Sequence, residues 1–369
     1  MPKIVRTAAS YSEMFKHPLP VLHPQQRDFV ALNRNQVACL LANMVLCTYA
    51  TKGDSAEEHR AITDMPYPVF DRLLTANPEG VQHKLACILH LFQRINTDHA
   101  QRGSVVFRRT VLPPPPDVDF WLSHTAPLMP ITLVRTGGIE DSHDCIQVDF
   151  ANKFLGGGVL GRGLVQEEIL MSVNPELIVG LLLFPRLHEN EAIVITGTKR
   201  FSDYTGYGRS FRYGGDYTDT TPISRTPRSS AVPGTTLKRI ICIDALHFPS
   251  KNSVEECTTA TLLREVNKAY CGFACSVKDI DTIATGNWGC GVFNGNPVIK
   301  AILQWCAASA GRRRLRYHTF GDEALHGHFN FFMHRCIENR VSVGAMFDAL
   351  LSVMGDPTVP ADIPPEALV

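Results

Sequence analysis

"NKFLGGGVLGRGLVQEEIL", residues 152–170, places three consecutive glycines seven residues ahead of Gln-Glu-Glu. Neither half suits an ordinary core element, so the question is what needs a bare backbone beside a pair of carboxylates. Gly156, Gly157 and Gly158 follow "CIQVDF", from residue 145, which reads as a buried strand. Three residues without Cβ let successive backbone N–H groups turn toward one point and approach an anion closely, which is how a pyrophosphate is held without lysine. A flexible strand-to-helix connector has the same composition. The pattern is neither Gly-x-Gly-x-x-Gly nor Gly-x-x-x-x-Gly-Lys-Ser, so neither a dinucleotide fold nor a P-loop is supported.

Glu167 and Glu168 open a helix whose apolar stripe is Ile169, Leu170, Val173 and Leu177. Acidic residues in a first turn complement the helix macrodipole, and on its own that structural role is commoner than catalysis. Adjacent helical positions point about 100° apart, so one glutamate can touch a reacting bond while the other orients ligand or partner. Asp149, at the end of the strand that feeds the glycines, brings a third carboxylate to the same sheet edge. Repulsion and desolvation in such a cluster raise one pKa toward neutrality, as a general acid at a glycosidic bond requires, whereas a helix N-terminus favours the ionised form. Sequence leaves that balance open.

Two more loops share the character of the first. "TGNWGCGVFNGN", residues 285–296, follows a strand and alternates Gly286, Gly289, Gly291 and Gly295 with Asn, Trp and Phe. Such a loop fits either a clamp on a diphosphate-ribose or a tight β-to-α turn with core aromatics. "FSDYTGYGRSF", residues 201–211, sets Tyr204 and Tyr207 around Gly206, which suits ring stacking with a phenol left for a phosphate, or plain surface packing. Three loops of this kind at successive strand ends are harder to dismiss than one.

The elements around them alternate. "ITLV" (131), "CIQVDF" (145), "EAIVITG" (191), "LKRIICIDAL" (237), "TIATG" (282) and "RLRYHTF" (314) read as strands. "QEEILMSV" running into "PELIVGLLL", "TATLLREVNKAY", "PVIKAILQWCAAS" and two segments after residue 322 read as helices. This predicts an α/β fold, a central sheet covered by helices with ligands at the strand ends. The hairpin-like "TGGIEDSHD" between two strands predicts that the sheet is mixed.

The first hundred residues read as helical, with stripes Val37, Leu40, Leu41, Met44, Val45, Thr48 and Val81, Leu85, Ile88, Leu89, Phe92, Ile95. "VVFRRTVL" is then a strand stopped by Pro113–Pro116, and the boundary falls near residue 103: a helical region 1–102 and an α/β domain 103–369. "DTTPISRTPRSSAVPG", residues 219–234, is turn-rich and predicts a mobile surface loop.

Composition narrows the class. The chain has 369 residues and 36 basic against 36 acidic side chains, which removes the global electrostatic case for a nucleic-acid binder and leaves any anion to a local site. Eleven cysteines without a Cys-x-x-Cys pair read as reduced, mostly buried thiols, including Cys271 and Cys275 of "CGFAC". The N-terminal residues carry no apolar targeting core, and no run approaches a membrane span, so a soluble cytosolic or nuclear chain is expected. His326 and His328, two apart on a helix, face different ways and predict no metal site. "GRRRLRY", from Gly311, reads as a solvated junction or a patch for a long anionic polymer.

"GGGVLGRGLVQEEI" resembles the signature of the poly(ADP-ribose) glycohydrolases. "GGIED…CIQVDFAN", "ITGTKRFSDYTGY", "ATGNWGCGVFNG" and "YHTFGDE" stand in that family's order with similar spacing, across roughly residues 105–335, preceded by a helical extension as in the eukaryotic-type members. The resemblance implies a macrodomain-like mixed β-sheet flanked by helices with an N-terminal helical accessory region. It implies hydrolysis of ribose–ribose O-glycosidic bonds in poly(ADP-ribose), releasing ADP-ribose, without cofactor or metal. Glu168 would be the acid/base, Glu167 would hold ribose hydroxyls, and Asp149 would complete the acidic cluster.

By the same resemblance Ile139 and Glu140 face adenine, Asn152 and Gln166 the ribose, Gly156, Gly157 and Gly158 the diphosphate, and Tyr207 clasps it. Asn287, Trp288, Gly289, Cys290, Gly291 and Val292 would form a second phosphate loop, with Phe293 and Phe320 around the distal ribose. The implied partners are poly(ADP-ribose) and ADP-ribosylated proteins, with no direct DNA binding, no membrane and a monomeric state, in nucleus or cytoplasm within the DNA damage response. Val292 stands where a smaller residue is common and Arg162 puts charge inside the spacer, which leaves exo against endo cleavage open. A reader macrodomain that binds without turnover, and a hydrolase of the protein-proximal unit, are the competing readings; the intact Gln166-Glu167-Glu168 favours the polymer hydrolase over the reader.

Overall fold

Apolar runs of strand length form strands and 3–4-spaced apolar stripes form helices over most of the computed structural model, which describes residues 1–76, 78–95, 103–224, 234–274 and 280–355. The helices are α1 (Pro2–Ala9), α2 (Tyr11–Met14), α3 (Arg34–Val45), α4 (Ala56–Thr63), α5 (Asp71–Thr75), α6 (Glu79–Arg94), α7 (Val118–Leu122), α8 (Gln166–Val173), α9 (Thr259–Ala274), α10 (Pro297–Ala310), α11 (Glu323–Glu338) and α12 (Val343–Gly355). The strands are β1 (Asp28–Asn33), β2 (Ser104–Val111), β3 (Ile131–Val134), β4 (Ile146–Ala151), β5 (Glu191–Thr196), β6 (Ser202–Thr205), β7 (Arg212–Asp216), β8 (Arg239–Asp244), β9 (Thr282–Gly286) and β10 (Arg314–His318). The chain divides into two compact units, Met1–Arg109, Ala151–His188 and Ile193–Ile240 against Thr110–Phe150, Glu189–Ala192 and Ile241–Val369.

In the first unit α3 starts at a reciprocal cap, with the Gln36 amide donating to the Asn33 side chain at 2.9 Å and the Asn33 amide to the Gln36 side chain at 3.0 Å. Its Val37, Leu40, Leu41, Met44 and Val45 are buried. The expectation of an all-helical start needs correction at β1, which pairs antiparallel with β2 from Asp28 opposite Arg109 to Asn33 opposite Ser104. Only Leu32 of β1 is buried, so this strand carries little of the apolar alternation that would reveal it. Strand β5 is the other neighbour of β2.

Helix α6 buries Val81, Ile88, Leu91 and Phe92 and, on the same face, Lys84. Helix α8 does not run through "PELIVGLLL" as a single α-helix. Pro175 has no N–H to donate, α8 stops at Val173, and the chain rewinds as a 3-10 helix over Pro175–Leu182. Strands β6 and β7 form an antiparallel ribbon that carries Tyr207 at its turn.

In the second unit the strand order is β8, β4, β9, β10, β3. Parallel pairing of β4 with β9, β9 with β10 and β10 with β3 aims four C-terminal ends the same way. "TGGIEDSHD" is therefore no hairpin, because β9 and β10 stand between β4 and β3. The strand pairing is mixed through the antiparallel β1 and β2 instead. Trp305 of α10 packs its ring 6.1 Å from Phe329 and 6.3 Å from Phe332 of α11, and Trp121 of α7 lies 5.9 Å from Phe347 of α12.

The loop expected to be mobile at 219–234 has buried shoulders. Lys238 pairs with the Asp219 carboxylate at 2.9 Å, and the Ser224 amide donates to the Thr235 carbonyl at 2.7 Å; residues 225–233 lie outside the described residues. The described cysteines are free thiols, most of them buried; Cys271 is among the buried ones and Cys275 lies outside the described residues. Among the described residues no helix is long and apolar enough to cross a membrane.

Candidate active site

The glycine loop leaves the C-terminal end of β4 and returns at the first turn of α8, so its amides face the glutamates of that turn. The Asn152 amide donates to Glu167 Oε2 at 3.0 Å and the Gly156 amide to Glu167 Oε1 at 2.6 Å. The Gly158 amide donates to Glu168 Oε1 at 2.9 Å and the Val165 amide to Glu168 Oε2 at 2.9 Å. The Gly157 amide goes to the Phe154 carbonyl at 3.1 Å. All three amides of the triplet thus have acceptors inside the chain, and the anions that Gly156 and Gly158 face here are the protein's own carboxylates. Both glutamates are buried, and these bonds fix their rotamers.

Glycine is required here by space as well as by backbone angle. Gly157 sits at φ +49°, and a Cβ there would lie 2.7 Å from Glu167 Oε2 and 2.9 Å from Glu168 Oε1. One on Gly163 would lie 2.5 Å from Glu168 Oε1. The bare backbone demanded by the sequence is what lets two carboxylates lie against the loop.

The loop's carbonyls face the other way, toward two cations from the helical segment that the sequence reading did not single out. Lys84 Nζ, fully buried, donates to the carbonyls of Gly158 (3.2 Å), Gly161 (2.8 Å) and Gly163 (2.7 Å). Arg60 Nη2 donates to the Gly157 carbonyl at 2.9 Å, its guanidinium lying 5.4 Å from the centre of the Phe154 ring. A signal existed for Lys84. It falls between Val81 and Ile88 on the buried stripe of α6, where an ammonium is tolerated only if its donors are met.

Tyr207, on the turn of the β6–β7 ribbon, is more than half exposed at its ring. Its hydroxyl end is desolvated, reaches the Gln166 backbone and feels the charge of Glu168; desolvation, then Glu168, push its pKa up, partly offset by the Gln166 contact. Gln166, Glu167, Glu168, Asn152, the glycines and Tyr207 therefore belong to one constellation in the first unit. Arg162 is exposed on the same loop.

The second unit gathers its candidates at the C-terminal ends of its parallel strands. Asp149 is fully buried near the end of β4. Buried Ile139 and Glu140 sit in a 3-10 turn after β3, and Gln147 Nε2 fixes it by donating to the carbonyls of Glu140 and Ser142, both at 3.2 Å. His318 spans Ser142 Oγ at 3.2 Å and the Gly137 carbonyl at 3.3 Å, and burial pushes its pKa down. Phe320, half exposed at φ +53°, follows β10 and stacks 6.0 Å from the His318 ring.

The loop after β9 is built differently from the clamp foreseen in the sequence. Trp288 is fully buried, donates Nε1–H to the Ile243 carbonyl at 3.0 Å and has Lys300 Nζ 4.7 Å from its ring centre, so its indole supports the loop from below. Asn287 Oδ1 accepts from the Tyr317 hydroxyl at 3.0 Å, and Cys290 Sγ lies 3.4 Å from the Trp288 carbonyl. Gly289 takes φ +75°, Gly291 is open, and Val292 is exposed. The Phe293 carbonyl accepts from the Phe248 amide at 3.0 Å, with its ring 5.5 Å from His247.

Beneath this loop lies a buried network that sequence did not disclose. Glu256 receives the Asn296 amide at 3.0 and 2.9 Å, Lys300 pairs with Glu265, and Lys268 and Arg264 pair with Asp244 at 2.8 and 2.9 Å. Three carboxylates thus answer three cations in one unit.

The remaining motifs stay outside. His326 is part-buried beside Thr319, and His328 is exposed on α11. In "GRRRLRY", Arg314 pairs with Asp281 at 2.5 Å, Arg316 with Asp144 at 2.6 Å, and Arg313 is buried, an arrangement that suits the solvated-junction reading of the stretch.

Comparison with known proteins identifies the family. The family model described as poly(ADP-ribose) glycohydrolase, macro domain fold, matches residues 118–327, and the helical-domain model of that family matches residues 1–109. Poly(ADP-ribose) glycohydrolase 1 of Arabidopsis thaliana is 35% identical over 384 residues, covering 84% of this chain and 67% of the plant protein. Poly(ADP-ribose) glycohydrolase 1 of Caenorhabditis elegans is 32% identical over 331 residues, covering 88% of this chain and 40% of the nematode protein. This chain therefore spans about two thirds of the plant relative and under half of the nematode one. A solved poly(ADP-ribose) glycohydrolase from Thermomonospora curvata matches faintly, at 15% identity and a TM-score of 0.41 over 70% of this chain and 99% of that one. On its two family models and its sequence relatives, the chain belongs to the poly(ADP-ribose) glycohydrolase family, with that family's helical domain and its macrodomain fold of mixed sheet flanked by helices.

Proposed function

We propose that this chain hydrolyses the ribose–ribose O-glycosidic bonds of poly(ADP-ribose) to ADP-ribose, with Glu168 as the acid/base. The observation that carries the reading is the pair of buried carboxylates with each oxygen held by a backbone N–H. A carboxylate oxygen has two lone-pair directions, so each Glu168 oxygen keeps a second one for a proton or an incoming hydroxyl. Protonated there, Glu168 gives its hydrogen to the departing ribose oxygen, then takes one from the water that attacks the oxocarbenium-like centre. Glu167 holds ribose hydroxyls in place, and Asp149 adds its charge to the acidic cluster.

In this reading the ring of Tyr207 covers the diphosphate, Ile139 and Glu140 meet adenine, and Asn152 and Gln166 meet the ribose. Residues 287–292 line the diphosphate from the second loop, with Phe293 and Phe320 at the distal ribose. The glycine triplet contributes to the diphosphate site by shape, since its amides are committed to the glutamates and to Phe154. The helical region 1–102 supports a catalytic domain 103–369, the partners are the polymer and ADP-ribosylated proteins, and a monomer works in nucleus or cytoplasm, in the DNA damage response. Of these last assignments, the polymer as partner is the one the family supports.

The test is Glu168→Gln with labelled polymer, EDTA present, and products resolved by length. Loss of the general acid is expected to slow cleavage by about 10²–10⁴-fold while ADP-ribose affinity stays within about tenfold. Normal turnover by Glu168→Gln would remove Glu168 from the mechanism. An unchanged polymer with the parent chain would make it a reader.

A further inference from the structure

We infer that Lys84 and Arg60 are positioning residues for Glu167 and Glu168, acting on them through the glycine loop. The loop is a layer one peptide thick. Its amides at Gly156 and Gly158 hold the carboxylates, and its carbonyls at Gly157, Gly158, Gly161 and Gly163 are held by the two cations. Each glutamate has its own cation across that layer. The charge of Glu168 acts on Lys84 and that of Glu167 on Arg60.

Lys84 has three N–H donors, and all three meet carbonyls of the 158–163 turn. The Gly158 carbonyl also accepts from the amides of Gly161 (2.9 Å) and Gly163 (3.1 Å), so Lys84 closes the turn that places the Gly158 amide against Glu168. A surface lysine would not be fully buried, and a lysine serving only to balance charge would take a carboxylate partner. This one takes backbone oxygens, which is the arrangement that sets loop geometry. Because the loop fixes the glutamate rotamers, a shift of under an ångström at Gly158 moves the Glu168 carboxyl relative to the bond it protonates.

This rests on the assignment of Glu168 as acid/base. Lys84→Met keeps the volume and removes all three donors. Its kcat is expected to fall about 100-fold, with the Kd for ADP-ribose, measured by calorimetry, changed less than about threefold, because reacting-group geometry is altered and ground-state contacts are not. Lys84→Arg, which keeps charge and donors, is expected to recover at least tenfold of that loss. In a Glu168→Gln background Lys84→Met should cost nothing further, since two residues that act through one group are not additive.

A folded Lys84→Met with kcat within twofold of the parent overturns the inference, as does an equal loss of kcat and ADP-ribose affinity, or a full further loss in the Glu168→Gln background. Where Lys84→Met does not fold, Arg60→Gln decides. Arg60 is only half-buried, and an expected tenfold fall in kcat at unchanged ADP-ribose affinity stands against no change in either. Full activity of Glu168→Gln would instead sink the catalytic assignment itself, which separates the two failures.

Discussion

The loop at 152–165 and the loop at 286–296 are both glycine-rich, both follow a strand and both precede a helix, yet they are held in opposite ways. In the first the backbone is the active surface, with amides on carboxylates and carbonyls on Lys84 and Arg60. In the second the backbone rests on buried side chains: Trp288 lies beneath it, Lys300 faces the indole, and Glu256 holds the Asn296 amide. The difference teaches that glycine content reports where a backbone must come close to something without reporting to what. In one loop the close neighbours are two carboxylates, and in the other a packed aromatic and an ion network.

The comparison breaks most visibly in stability. Lys300→Met removes one partner of a buried pair and leaves Glu265 and Glu256 short of a cation, which is expected to destabilise the fold by about 3–5 kcal/mol. Urea unfolding followed by fluorescence checks it, and a midpoint unchanged from the parent would mean the second loop does not depend on its network. Lys84→Met, by contrast, should show its main effect in turnover.

A sharper contrast comes from two glycines. Gly157→Ala forces a Cβ onto both glutamates at a left-handed backbone angle, and kcat should fall about 100-fold with the fold retained. Gly291→Ala meets no atom of the chain within 4 Å, so its effect should fall on the KM for polymer, whose diphosphate this loop lines in the proposed site, with kcat lowered far less than by Gly157→Ala. Steady-state kinetics on the pair decide it, and equal losses from both would show that the two loops are constrained alike.

The smallest expected effect is in pH. Burial pushes Lys84 from 10.5 down to about 8, opposed by the charge of Glu168. A cation whose folded pKa is depressed binds fewer protons folded than unfolded between about 8 and 10.5, so its contribution to stability rises with pH across that window. Its charge-assisted bonds to the loop weaken over the same range. From pH 8 to 9.5 kcat should therefore decline by up to about tenfold, without a matching loss of melting temperature from this group. Lys84→Arg should flatten that alkaline limb, and a flat limb already present in the parent would disconnect Lys84 from turnover.

Much of this was legible beforehand because it is written in short-range pattern. The β4 run, the glycine triplet and the acidic first turn of α8 are contiguous, and their hydrophobic periods and spacing determine a strand, a close-approach loop and a helix N-terminus in that order. Strand β1 was not legible, since only Leu32 along it is buried. The false hairpin at "TGGIEDSHD" shows the same limit from the other side, because which strands are neighbours depends on segments far apart in the chain, here β9 and β10.

By itself the sequence set three carboxylates and a bare backbone near the ends of strands, because local periodicity marks where strands and helices begin and the absence of Cβ atoms marks where a backbone must come close to something. Only the tertiary structure decided what each backbone group faces. Lys84 lies 74 residues from the carbonyl of Gly158 and Trp288 lies 45 from that of Ile243. A hydrogen bond is fixed by distance and angle in space, and those are settled when helices and strands pack, not when residues are strung together.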